Sequence, residues 1–332
     1  MNNRSVIAAL AAGIILAGCS TPGNTTSMNY ASLRPARGAT STSNSLYVSS
    51  GGGVVVYSGS PLKFVRTISR GIESPEGLAS NSNGQLFVAN FAANTVTVYS
   101  QDGSGPIRTL SRNLKLPTGI ALSSKGDLYV RGRSHVNIYL NSHQSKLKTI
   151  NQRSTGIVID SSDNVYIAGG GVVSVYPPGG TKPARTISQG LDFPTALAID
   201  ASGNLYVANL DSLPCGSVTV YNAATGDLED TITDGICEPV DFAFDSFGNL
   251  YVGNEQDTNS SKVTVYAAGT HALMETITKG IDIPYGLSLD SSNNLYVSNY
   301  GANTITVYAP NKTSPKQTVQ GIPHPTVMHW IQ

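Results

Sequence analysis

Charge is scarce in this 332-residue chain and carries no net sign. Only 13% of residues are charged, with 21 Lys and Arg against 21 Asp and Glu. Binding to nucleic acid draws on a basic stripe that displaces counterions from phosphates, so the balance excludes that partner class. Long hydrophobic runs are also missing. The run from Val6 to Ala17 is too short to span a bilayer comfortably. Cysteine occurs three times, as Cys19, Cys215 and Cys237, which limits intrachain bridging to one disulfide. No phosphate-cradling Walker loop is present: Gly51-Gly52-Gly53 and Gly169-Gly170-Gly171 lie between strand-like runs and read as short hairpin loops. No Ser/His/Asp arrangement emerges either. The five histidines, His135, His143, His271, His324 and His329, fall at scattered positions with no pairing visible in the sequence.

What the chain has in abundance is one phrase. Asn294 to Tyr308 reads NLYVSNYGANTITVY, and Gln85 to Tyr99 reads QLFVANFAANTVTVY. Runs of β-branched and aromatic residues around a polar, turn-prone cluster spell a β-hairpin. In Leu295-Tyr296-Val297 both faces of the strand are apolar, so the sheet is covered on both sides. The Leu-Tyr-Val strand recurs from Leu46, Leu86, Leu128, Val165, Leu205, Leu250 and Leu295. A Val-x-Val-Tyr strand and a short Arg-Thr-Ile-like strand follow each time. A small-residue strand precedes every copy but the first, at Gly77, Gly119, Gly156, Ala196, Asp241 and Gly286. The missing copy stands at the far end, within Gly321 to Ile331. A period of about 40–45 residues with four strands per unit marks propeller blades. The expected fold is all-β: a seven-bladed β-propeller of four-stranded blades over residues 46–332. The C-terminal strand closes it by pairing beside Leu46–Val48.

Residues 1–18 open Met-Asn-Asn-Arg, continue through the apolar run and end before Cys19 in Leu16-Ala17-Gly18-Cys19. They resemble a bacterial lipoprotein signal peptide, which implies lipidation of Cys19. A plain signal peptide with an incidental Cys is the alternative. Residues 19–45 are rich in Ser, Thr, Asn and Gly and read as a flexible tether. The resemblance implies an exported protein, lipid-anchored in the bacterial envelope, with the membrane as a partner through the N-terminal lipid. Ser20 after the Cys points to the outer membrane if the host is Gram-negative.

The repeats resemble NHL-repeat propellers and, more loosely, gluconolactonase and virginiamycin B lyase relatives. The residues that carry this are Pro75-Glu76-Gly77-Leu78-Ala79, Pro117-Thr118-Gly119-Ile120-Ala121 and Pro284-Tyr285-Gly286-Leu287, each leading to a Leu-Tyr-Val-like strand. The resemblance covers nearly everything from Leu46 to Ile331. It implies the fold and leaves function open, since such propellers host binders, scaffolds and enzymes.

Function is expected where copies differ. Lactonase-type relatives hold a metal over the channel with Glu, Asn and Asp ligands. Here the position after the turn proline holds Glu76, Thr118, Thr155, Thr195, Val240 and Tyr285. Only Glu76 has the expected type there, with Asp241 and Glu238 as further carboxylates in another blade. A divalent ion needs several oxygen ligands, so no cofactor is expected, and Glu76 and Asp241 remain weak candidates for a divalent metal. Asn90, Asn209, Asn254 and Asn299 end the Leu-Tyr-Val strands. They read as turn-capping amides or as a partial ring of amides offered to a polar ligand. Arg131, Arg133 and His135 form a basic sector, and Asp211, Glu255 and Asp257 an acidic one. Tyr285, Tyr300 and Phe91 add aromatic surface. Cys215 and Cys237 fall in loops that emerge on one face of adjacent blades, so a disulfide is expected, with two free thiols as the alternative. The expected function is a non-catalytic binding or scaffold module for a protein or polysaccharide. The alternative is a lactonase- or lyase-type enzyme with a metal over the channel.

Overall fold

A strand that is apolar on both faces must be sandwiched, and the ring sandwiches every one. Leu295, Tyr296 and Val297 are each at most 2% exposed, as are Leu46, Tyr47 and Val48. The computed structural model describes residues 44–331 except 102, 104, 144, 146, 211–214 and 256–259. The leader, Cys19, the tether up to residue 43, Asp211 and Asp257 lie outside the described residues.

The described strands form seven four-stranded antiparallel sheets. Blade one holds β1 (Ser45–Ser50), β2 (Gly53–Ser58) and β3 (Lys63–Ile68). Blade two holds β4 (Pro75–Ser80), β5 (Leu86–Asn90), β6 (Thr95–Tyr99) and β7 (Arg108–Leu110). Blade three holds β8 (Gly119–Leu122), β9 (Leu128–Arg131), β10 (Val136–Tyr139) and β11 (Leu147–Ile150). Blade four runs through β12 (Gly156–Ile159), β13 (Val165–Gly169), β14 (Val172–Tyr176) and β15 (Arg185–Ile187). Blade five has β16 (Pro194–Ile199), β17 (Asn204–Asn209), β18 (Ser217–Asn222) and β19 (Leu228–Ile232). Blade six has β20 (Pro239–Phe244), β21 (Leu250–Asn254), β22 (Lys262–Tyr266) and β23 (Leu273–Ile277). Blade seven has β24 (Pro284–Leu289), β25 (Leu295–Asn299), β26 (Thr304–Tyr308) and β27 (Gln317–Gln320). The last strand, β28 (Met328–Ile331), returns to blade one as its inner strand. Leu46 pairs with Trp330, Tyr47 with His329 and Val48 with Met328, which is the closure expected from the displaced repeat.

The two faces of the ring differ in chemistry. One face, called the entry face here, carries both chain ends, because Ser45 pairs with both Ser58 and Ile331. Its turns between inner and second strands repeat one device. In Asp160, Asp200, Asp245 and Asp290 one carboxylate oxygen accepts two backbone N–H groups, while the other accepts the amide of an Asn four residues on. These are Asx turns. The opposite, loop face carries the turns that lead from each outer strand into the next inner strand. There a residue with a left-handed φ directly precedes proline: Ser74 (49°), Leu116 (47°), Phe193 (51°), Glu238 (50°), Ile283 (50°) and His324 (44°). A β-branched residue such as Ile283 adopts this region only when its surroundings hold it there.

Blades are held to one another by buried tyrosines and by reaching side chains. A tyrosine at or next to the end of each third strand is buried, and in blades two, six and seven its hydroxyl donates to the preceding blade: Tyr99 to Arg70 O at 2.7 Å, Tyr266 to Asp234 O at 2.6 Å and Tyr308 to Lys279 O at 2.7 Å. Burial pushes the Tyr266 and Tyr308 phenols up to about 12, so they stay neutral donors. On the outer strands a polar side chain reaches the next blade. Lys148 Nζ donates to Gly179 O at 2.8 Å, Arg185 donates to Ala223 and Ala224 carbonyls, and Gln317 clasps Leu62 N and O at 2.8 and 2.9 Å. At the axis successive inner strands come very close. A Cβ on Gly156 would stand 2.5 Å from Thr195 O, which is why small residues recur there.

Candidate functional site

The loop face is where the copies diverge, and the structure sorts the divergent residues into scaffold and surface. The asparagines fall to the scaffold. Asn90, Asn209, Asn254 and Asn299 are each 0% exposed. Their Nδ2 groups donate across the hairpin, as from Asn90 to Thr97 Oγ1 at 3.0 Å, Asn254 to Thr264 Oγ1 at 3.0 Å and Asn299 to Thr306 Oγ1 at 3.0 Å. Their Oδ1 atoms accept the N–H two residues before the turn proline: Glu73, Asp192, Cys237 and Asp282. The amides lock the strained turns, and no ring of amides faces a ligand. Blade three has Gly132 where blades two, five, six and seven have Asn. It substitutes Asn137, whose Nδ2 donates to Asn113 O at 2.6 Å.

Asp241 also leaves the ligand face. It occupies the inner-strand position held by glycine in four other blades, and it is 0% exposed. Its carboxylate accepts the Phe242 N–H at 2.7 Å and, from the neighbouring blade, the Leu287 N–H at 2.5 Å. Burial raises its pKa well above the usual range, against the pull of those two donors. It is a stitch between blades six and seven, with both carboxylate oxygens engaged by backbone N–H groups. Arg131 makes a further correction. It is 3% exposed and its guanidinium donates to Thr155 O in blade four, so the basic sector of the face reduces to exposed Arg133 and half-buried His135. Among the described residues no group of three or more His, Cys, Asp or Glu is placed to hold a metal ion.

Cys215 and Cys237 form the expected disulfide, with Cα atoms 4.5 Å apart. Its position has a structural parallel. Asn94 accepts the Leu116 N–H, Ser261 the Ile283 N–H and Asn303 the His324 N–H, each tying one blade's loop to the next blade's turn. At blades five and six Glu238 N donates to Cys215 O at 2.7 Å, and the disulfide makes the same latch covalent. Closing a loop of about 20 residues stabilises by about 3 kcal/mol in the chain-entropy model. Cys215→Ser should therefore lower the urea midpoint by the amount that reductant lowers it in the unaltered chain, which paired denaturation curves would check.

Three rings remain at the surface. Tyr285 and Tyr300 stack with centroids 4.8 Å apart at 29°, and His324 lies 4.7 Å from Tyr300 at 32°. The stack crosses from blade seven to blade one, and His324 is exposed at its end. Carboxylates stand in the blades on either side. Glu76, half-buried, begins the inner strand of blade two, where Phe91 follows the second strand. In blade six Glu255 N donates to Glu238 O at 2.9 Å. Burial, assisted by the Glu238 charge, pushes the Glu255 carboxyl up to about 7. The sequence contained this stack at aligned positions: the residue after the turn proline, the residue after the Leu-Tyr-Val-x-Asn run and the residue before the turn proline. His324 was missed because its repeat is displaced to the chain's end.

Two other features lie away from this face. His271 is paired: Nδ1 meets Asp230 at 2.6 Å and Nε2 meets the Tyr206 hydroxyl at 3.0 Å, tying blade five to blade six. His329 Nε2 lies 2.8 Å from Ser80 Oγ between blades one and two, and burial lowers its pKa to about 4. On the outer wall a groove of about 610 Å³ runs between blades seven and one, lined by Val55, Tyr57, Phe64 and Val319 with no charged side chain.

No protein-family model and no curated protein sequence matches the chain, so the likeness to NHL repeats stays a sequence resemblance. Solved structures do match. A protein from Lactobacillus plantarum superposes with a TM-score of 0.73 at 15% identity, over 88% of this chain and 100% of that one. A proposed 6-phosphogluconolactonase from Bacteroides fragilis gives 0.70 at 12% identity, over 90% and 100%. A streptogramin B lyase gives 0.65 at 14% identity, over 85% and 91%. The chain is a seven-bladed β-propeller. At these identities the likeness reaches the fold and stops there.

Proposed function

We propose that the chain is an exported, lipid-anchored β-propeller of the bacterial cell envelope whose loop face binds a polysaccharide or protein partner, without catalysis and without a cofactor. In a two-membrane host it belongs to the outer membrane. The observation that carries this is the Tyr285–Tyr300–His324 stack, with Glu76 and Glu238–Glu255 in the flanking blades. Aromatic faces take up the apolar faces of sugar rings, and carboxylates accept hydrogen bonds from hydroxyls. Of the two partner classes, this combination favours polysaccharide. The test is retention of the purified chain on immobilised envelope polysaccharide. Tyr300→Ala should weaken it by about tenfold, since a lost aromatic contact is worth on the order of 1 kcal/mol beyond its area, with the melting curve unchanged. Equal retention of the variant would overturn the reading.

A second reading is favoured by Glu255. A carboxyl held near about 7 suits a general acid or base at neutral pH, and lactonase and lyase propellers share the fold. Hydrolysis or elimination by the same preparation in a lactone and lyase screen, lost in Glu255→Gln, would replace binding with catalysis. Stoichiometric metal in that preparation would bring Glu76 back as a ligand.

A further inference from the structure

The large hydrophobic side chains left exposed are not spread over the ring. Among the described residues they are Phe64, Val65, Ile107, Phe247 and Met274. Each lies toward the entry face. Phe64 pairs with Tyr57, which pairs with Leu46, one residue from the start of β1. Val65 occupies the bulge beside it. Ile107 N donates to Val98 O just before β7, one residue from the entry end of β6. Phe247 sits in the entry turn of blade six, and Met274 in the bulge next to Leu273, which pairs with Tyr266 at the entry end of β22. They occupy blades six, one and two, so the arc from blade six through seven and one to two contains blade one, where the chain enters at Ser45. None comes from the loop face, which holds the aromatic stack.

Lysines lie along that arc, with half-buried Glu275 beside Met274 as a carboxylate among them. Lys63 beside Phe64 is exposed, as are Lys312 and Lys316 in the connection of blade seven. The carboxylates of the entry turns there, Asp245 and Asp290, are engaged by their own backbone N–H groups. Apolar side chains set among lysines suit the interface of a bilayer that contains anionic phospholipid. The chain outside the described residues indicates the occupant. It joins the ring at the entry face, and the sequence reading of residues 19–45 as a tether behind Cys19 puts the membrane on that side.

We propose that the entry face of blades six, seven, one and two lies against the phospholipid surface, with Phe64, Ile107, Phe247 and Met274 inserted at the headgroup boundary. The loop face then points away from the membrane, toward its partner. The proposal builds on the reading of Cys19 as an acylated anchor, and it can fail separately from it. The mature chain is reconstituted into phosphatidylethanolamine–phosphatidylglycerol vesicles that carry a photoactivatable phospholipid, and labelled peptides are mapped by mass spectrometry. Labels are expected on the peptides holding Phe64, Ile107, Phe247 and Met274 and to be sparse on those holding Tyr300 and His324. In the triple variant Phe64→Ser, Phe247→Ser, Met274→Ser those labels should fall by at least about tenfold, since each immersed side chain contributes roughly that factor. These positions are exposed, so the melting curve should not move. Labels of equal density on both faces, or unchanged in the triple variant, would overturn the orientation. So would a sedimenting dimer of the unaltered chain that the triple variant abolishes, because the face would then cover a second copy. The intact mass of the mature chain decides the anchor independently. If it carries no acyl chains, flotation of the same chain with the vesicles, compared with the triple variant, decides the face.

Discussion

Removing Pro323 to Gln332 should abolish the cooperative unfolding transition of the whole ring. The deletion takes away Val327, Met328 and Ile331, each at most 6% exposed, together with Trp330, whose ring packs 5.1 Å from Tyr296. Burying one such side chain contributes about 1.5–3 kcal/mol, so the four together approach or exceed the roughly 5–15 kcal/mol that holds a typical domain folded. The loss is also not local. Without β28, Leu46 and Val48 lose their ladder partner, and blades two and seven lose the strand that packs between their inner strands. An open ring exposes blade faces that are largely apolar. Circular dichroism melts of the deleted and intact chains check this. A sharp transition within a few degrees of the intact chain would mean that closure contributes little. Because β28 follows the other 27 described strands in the chain, the same experiment bears on folding order: blade one waits for a strand more than 270 residues on.

The closing strand was legible in the sequence for a simple reason. Each blade is assembled from residues close together in the chain, and a period of about 40 residues exposes the copy that is out of place. The disulfide was legible for the same reason, since repeat position assigns Cys215 and Cys237 to neighbouring loops. The candidate site was less so, because its side chains are disposed by contacts between blades, which periodicity does not encode. Asn90 and Tyr300 both stand at the loop end of a second strand. One turns inward to clasp a threonine and a backbone N–H, while the other stacks outward on a ring from the next blade. Arg131 and Arg133 are two residues apart, and only one is at the surface. Asp241 could be read as a ligand until Leu287 N, on another blade, was seen to hold it. His271 likewise finds Asp230 and Tyr206 across a blade boundary. Propeller sequence thus reports the strand and its register, while the neighbour across the interface decides the role of each polar side chain.

Two of those side chains make the fold sensitive to pH. Glu255 has an ordinary pKa of 4.5 and is pushed up to about 7 in the ring, first by burial and then by the Glu238 charge. Below about pH 4.5 the carboxyl is protonated whether the chain is folded or not, and the full stability is present. Between about 4.5 and about 7 it ionises in the unfolded chain before the folded one, so stability falls as pH rises. Above about 7 both states are ionised and the loss is complete, on the order of 3 kcal/mol for that gap. Asp241 acts in the same direction, because burial raises its pKa well above 3.8 despite its two backbone donors. Its loss begins near its ordinary value and adds to that of Glu255. Urea denaturation at pH 5 and pH 8 should therefore show the chain less stable at the higher pH, although its formal net charge is zero at pH 7. Glu255→Gln keeps an acceptor and removes the ionisation, so it should recover most of the difference at pH 8 and little at pH 5. Asp241→Asn should recover a further part, provided its remaining oxygen still accepts from Leu287 N. Equal stability of the unaltered chain at the two pH values would place both carboxylates in contact with solvent. A Glu255→Gln variant that is stabilised at pH 8 yet loses polysaccharide binding would place the same carboxyl at the partner's surface, and its strain would then be part of how the loop face recognises its ligand.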